Sequence, residues 1–164
     1  MKEVVSDTGP LLHLNEAGFL GLLRQVGTVH IPPSVDAEIR YRLPQWQPPS
    51  WLMLDILTEP YVTEAISWQQ AGLLDMGEAE ALALARQIGA SWFLTDDAAA
   101  RLLAQSIGLE AHGSLGIVLW AAVAGHLDYA QAETALSQLA ASSLWVSSSI
   151  LKEAESALKD IFQK

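Results

Sequence analysis

Short β-prone runs alternate with helical segments through the first two thirds of this 164-residue chain, and nothing else in it constrains the fold as much. Val4 and Val5, followed by Ser-Asp-Thr-Gly-Pro, read as a buried strand ending in a turn. Residues 10–26 repeat leucines at helical spacing, with Pro10 near the start, where its missing N–H does no harm. A second strand is expected over 28–31. Pro32-Pro33-Ser34 then opens a helix with Ser34 as its N-cap. Strands at 51–57, 92–95 and 110–112 alternate with helices at 59–71, 77–88 and 98–107, and three more helices follow at 114–124, 129–141 and 148–162. Alternation of this kind predicts an α/β fold, a parallel sheet with helices on both faces. The length suits one domain over residues 1–164, its core at about 3–125 and extra C-terminal helices over 126–164 packing on the sheet or forming a dimer surface.

Composition removes several chemistries. The absence of cysteine excludes a disulfide framework, a thiolate zinc site and a cysteine nucleophile, and fits a reducing, cytoplasmic compartment. The start, MKEVVSD, carries no apolar stretch of the kind a secretory signal needs. The longest apolar run, 115–124, is far below the roughly 20 residues that span a bilayer, so no membrane association is expected. Nine basic against nineteen acidic residues give a net charge of −10, which argues against broad electrostatic binding of nucleic acid unless carboxylates hold a cation.

Sites in open parallel sheets form outside the carboxyl ends of the strands. Asp7 ends the first expected strand, Asp96 and Asp97 end the strand at 92–95, Glu78 opens the helix leading into it, and Glu38 lies inside the second helix. Carboxylates meeting in one crevice repel each other unless they are protonated or paired with cations. Basic partners are scarce: lysine occurs only at positions 2, 152, 159 and 164, and Arg24, Arg40, Arg42, Arg86 and Arg101 are the other candidates, so a divalent ion is the natural neutraliser. An all-oxygen donor set selects a hard ion, Mg2+ or Mn2+, and such sites usually serve phosphate chemistry.

Val-Val-Ser-Asp7-Thr8-Gly-Pro, Val-Asp-Ala-Glu38-Ile, Gly77-Glu78-Ala-Glu-Ala and Thr95-Asp96-Asp97-Ala-Ala-Ala-Arg101 resemble, in that order, the acidic motifs of PIN domains. The wording is most similar to a branch related to the VapC-type toxins, over about residues 3–125. The resemblance implies a three-layer α/β/α sandwich, a Mg2+- or Mn2+-dependent ribonuclease acting on RNA, frequent homodimers and often a small antitoxin partner. Carried over by position, Asp7, Glu38, Glu78 and Asp96 or Asp97 bind metal, with Glu38 completing the shell or positioning the water. Thr8 sits beside the first ligand and orients it, Ser114 in Gly113-Ser114-Leu-Gly116 lines the site, and Arg101 contacts a phosphate. One departure stands out: many toxins of this type carry Asp where this chain has Glu78.

Each acid also has a plain structural reading. Asp7 fits an Asx-turn or a helix cap, Glu78 and Glu80 favour a helix dipole, Asp96 or Asp97 fits an N-cap, and Glu38 fits a solvated helix face. No His-x-x-x-His spacing occurs, which speaks against zinc. The six tryptophans read as core or interface residues, except Trp46 and Trp51 beside a proline-rich loop, which fit contact with a partner or RNA. Asp7-Thr8-Gly9 also matches the aspartic-protease signature, but the helical segment after it and the later acids do not fit that fold. A receiver-like phosphoacceptor would need a lysine at a late strand end, and none lies between residues 2 and 152. A catalytically inactive PIN-like interaction module remains the alternative to the ribonuclease.

Overall fold

The computed structural model describes residues 1–163. Within them lies a five-stranded, all-parallel sheet in the order β3-β2-β1-β4-β5: β1 (Lys2–Ser6), β2 (Gly27–Ile31), β3 (Leu52–Leu54), β4 (Trp92–Leu94) and β5 (Glu110–His112). The helices are α1 (Thr8–Ala17), α2 (Leu22–Val26), α3 (Pro33–Arg42), α4 (Tyr61–Gln70), α5 (Met76–Ile88), α6 (Ala98–Ser106), α7 (Ser114–Val123), α8 (Tyr129–Ala140) and α9 (Ser148–Phe162). This is the α/β architecture that the alternation predicts. An aspartic-protease fold, which is all-β, is thereby excluded.

Successive residues of a strand face opposite sides of its sheet, and Val4 and Val5 are both fully buried. Both faces of β1 are therefore covered, as a central parallel strand requires. α5 packs across β1 and β4, with α3 and α4 against it. α1 packs on β1 beneath α7 and α8, and α9 rests on α7 and α8. The core they share includes Leu11, Leu14, Leu82, Leu84, Phe93 and Ile117, each with no exposed surface. No helix among the described residues is long and apolar enough to cross a membrane.

Local chemistry explains where the elements differ from the sequence expectation. The helix expected over 10–26 is two, because Gly18 takes the left-handed conformation (φ 83°) and its N–H closes α1 on the Asn15 and Leu14 carbonyls. α3 begins at Pro33, with Pro32 as its N-cap, so Ser34 does not cap it. Trp46 is buried, its indole N–H donating to Asp36 Oδ1 at 3.1 Å, which removes it as a contact for RNA or a partner.

The strand order reverses direction beside β1. From β1 the chain moves outward to β2 and β3, then crosses to β4 on the other side and on to β5. The carboxyl ends of β1 and β4 thus flank a topological switch point, where the loops part and leave a crevice. Asp7 follows β1, and Asp96 and Asp97 follow β4.

Candidate functional site

Four helices open at this crevice, and their first turns supply most of its side chains. Asp7 is the N-cap of α1 and accepts from Thr8 N at 2.7 Å. Asp75 is the N-cap of α5 and forms a reciprocal capping box with Glu78, at 2.8 and 3.0 Å. Asp97 caps α6 through Ala100 N at 2.8 Å. Ser114, the first residue of α7, binds Asp96 with its backbone N–H and its hydroxyl, both at 2.6 Å. Asp7 is thus a helix cap, Asp97 rather than Asp96 is the N-cap of α6, Glu78 lies in the first turn of α5, and the capped ends converge. Helix N-termini carry partial positive charge, which favours carboxylates there.

Asp7, Thr8, Glu38, Asp75, Glu78, Asp96 and Asp97 all line one cleft of about 400 Å³, joined by His13 and Arg42. Ser114 and Arg101 lie behind Asp96, on a neighbouring cavity. Glu38 reaches the cleft from α3 and accepts from the Thr8 hydroxyl at 2.9 Å, so Thr8 ties two acids together. Asp7 is only 4 % exposed, and its second oxygen accepts from the Thr95 hydroxyl at 2.9 Å. Two glycines make the close approach possible. A Cβ on Gly77 would stand 2.7 Å from Glu38 Oε2, and one on Gly113 would stand 2.8 Å from Asp96 Oδ1.

Two residues escaped the sequence reading. Asp75 was hidden because the helix was expected to start at Gly77, although Asp75-x-x-Glu78 is a capping-box pattern legible in the chain. His13 carries no motif. Its role follows from the fold, which sets its Nδ1 to donate to Asp96 Oδ2 at 2.7 Å. Glu80, two residues along the helix from Glu78, does not line the cleft.

The electrostatics follow from crowding acids at a switch point. Burial pushes the Asp7 carboxyl up to about 7; the Thr8 and Thr95 hydrogen bonds oppose that shift, and the charges of Asp75 and Glu38 add to it. Burial also raises Glu78 to about 8, with the adjacent Asp75 and Asp97 carboxyls adding to the shift. Arg42 is the sole lysine or arginine lining the cleft.

This donor set, six carboxylates and one imidazole without sulfur, has the chemistry of a site for a hard divalent cation. As oriented here, no three acidic or histidine side chains among the described residues enclose an ion. Thr8 holds Glu38, and Ser114 and His13 hold Asp96. The carboxyls of Asp7 and Glu78, driven towards protonation, are the groups a cation would relieve.

No curated protein matches the chain. A family model described as PIN domain matches residues 3–160, nearly its whole length. By that match and by its five-stranded parallel sheet, the chain belongs to the PIN-domain family, whose fold is that of nucleases.

Proposed function

We propose that the chain is a Mg2+- or Mn2+-dependent endoribonuclease that hydrolyses RNA phosphodiester bonds. The same reading places it in the branch related to VapC-type toxins, acting in the cytoplasm as the toxin of a toxin–antitoxin pair with a small antitoxin protein as partner. It further takes residues 1–164 as one domain that works as a homodimer. The observation that carries the ribonuclease reading is the convergence of Asp7, Glu38, Asp75, Glu78, Asp96 and Asp97 on one cleft with Arg42 as its sole lysine or arginine.

Asp7, Glu78, Asp96 and Asp97 would hold the metal, with Glu38 completing the set or positioning the attacking water. When bound, such a cation polarises a phosphoryl oxygen and lowers the pKa of water. The chain's own groups prepare the site. Thr8 and Thr95 orient the two oxygens of Asp7, and Ser114 and His13 fix Asp96. An acidic chain of charge −10 repels RNA, so attraction to phosphate must be local to the cleft and depend on the cation.

One observation favours the second reading, an inactive interaction module. Asp96 already has both oxygens bound, and Glu78 and Asp97 serve as caps. Incubating end-labelled single-stranded RNA with the protein in Mn2+, in Mg2+ and in chelator separates the two. Ribonuclease action gives metal-dependent fragments that vanish in Asp7→Asn while its circular dichroism is unchanged. An intact RNA under every condition favours the module, and full cleavage by Asp7→Asn removes Asp7 from the mechanism.

A further inference from the structure

Beside the acidic cleft lies a second cavity of about 500 Å³, and the two share Asp96, Ala98, Leu144 and Trp145 in their walls. Its character is different. Trp145, Leu144 and Ile150 give it an apolar side, and Arg101 gives it a cation.

Trp145 is 85 % exposed, whereas Trp46 and Trp92 are buried in the core. An indole offers more apolar surface than almost any other side chain, so one left in solvent at the rim of two cavities is an informative exception. It stacks on no other ring among the described residues. The segment that carries it, between α8 and α9, is tied to α1 at one point and turns on itself at another. The Ser143 hydroxyl donates to Glu16 Oε1 of α1 at 2.5 Å, and Leu144 N donates to Ser142 Oγ at 3.2 Å. The indole is thus presented on a tethered loop.

Arg101 supplies the second, independent observation. Its Nη2 donates to the Thr95 carbonyl at 3.2 Å, which fixes the guanidinium behind Asp96, while its buried Nε–H has no partner in the protein. Arg101 lines the cavity, and an anionic oxygen is the partner a guanidinium takes best. A flat aromatic platform and a guanidinium lining one cavity, continuous with the acidic cleft, match the base and the phosphate of a single nucleotide.

We infer that this second cavity is a nucleotide subsite, in which the base of a nucleotide flanking the cleaved bond stacks on Trp145 and its phosphate faces Arg101. The inference rests on the ribonuclease reading and deepens it, since it names single-stranded RNA with an unpaired base beside the cleavage point as the substrate form. A paired base cannot stack on the indole, so duplex RNA is a poor substrate.

The test is steady-state cleavage of a mixed-sequence single-stranded oligoribonucleotide in Mn2+, with each position in turn made abasic, by wild type, Trp145→Ala and Trp145→Phe. Trp145→Ala is expected to raise KM about tenfold, with kcat changed less than about twofold, as for other stacking aromatics, and Trp145→Phe to restore most of the loss. One abasic position flanking the cut should raise the wild-type KM similarly and have no further effect in Trp145→Ala, because the two changes remove the same contact. Wild type that cleaves, with Trp145→Ala matching it in both constants, overturns the subsite and leaves the ribonuclease standing. Wild type that cleaves no RNA in Mn2+ overturns both. A Trp145→Ala chain that loses a dimer in sedimentation while keeping its KM assigns the face to a second copy and overturns the subsite.

Discussion

The Thr95 hydroxyl at the end of β4 donates to Asp7 Oδ2 at 2.9 Å, joining residues 88 apart in the chain across the gap between β1 and β4. Thr95 Oγ1 also accepts from Asp97 N at 3.1 Å, so one buried hydroxyl orients acids on both sides of the crevice. Its hydrogen bond favours the charged form of a carboxyl that burial would otherwise protonate.

Thr95→Val keeps the shape and removes the hydroxyl. Losing the donor raises the Asp7 pKa further, so the acid limb of the pH–rate profile for RNA cleavage should move to higher pH. Stability should fall by about 1–2 kcal/mol, the typical cost of leaving a buried polar partner unmet. An acid limb that stays in place would show that Asp7 is not the group being titrated.

The metal-free protein should become less stable as pH rises. Asp7 and Glu78 titrate near 7 and 8 in the folded chain, against 3.8 and 4.5 as ordinary carboxyls. The folded state therefore binds more protons than the unfolded one between those limits, and stability falls with increasing pH across that window. At 1.36 kcal/mol per pKa unit, Asp7 alone accounts for a loss on the order of 4 kcal/mol. Urea midpoints in chelator should drop between about pH 5 and about pH 8, and saturating Mn2+ should flatten the slope. A midpoint that rises over that range in chelator contradicts the account.

Gly77→Ala separates stability from function. The new Cβ would stand 2.7 Å from Glu38 Oε2, the movable end of a side chain, and alanine favours a helix over glycine by up to about 1 kcal/mol. The melting temperature should hold or rise while kcat falls at least about tenfold, because Glu38 is pushed off its Thr8 contact. Unchanged kcat would place Glu38 outside the mechanism.

Much of this arrangement was legible in the chain, for reasons that differ by residue. The placement of Asp7 and Asp96 in one cleft was legible because the alternation of elements dictates a parallel sheet, whose strand ends border the crevice. The break at Gly18 was missed because the leucine periodicity runs on through it, and only packing decides whether such a glycine bends the chain. His13 and Arg42 have no local signature, since their place in the cleft depends on elements far apart in sequence. Trp46 and Trp145 exchanged roles. The tryptophan beside the prolines turned inward to find an acceptor in Asp36, while the one expected to pack stands in solvent. Burial of a single aromatic is set by tertiary contacts that its neighbours in sequence do not reveal.

The central claim is that these acids form a metal centre, and calorimetric titration of Mn2+ into wild type and into Asp7→Asn/Asp96→Asn tests it most directly. Binding by wild type that releases protons near neutral pH, because Asp7 and Glu78 must ionise, and that disappears in the double variant, is the predicted result. Wild type that takes up no Mn2+ would contradict it, leaving the carboxylates as helix caps and the chain as an interaction module.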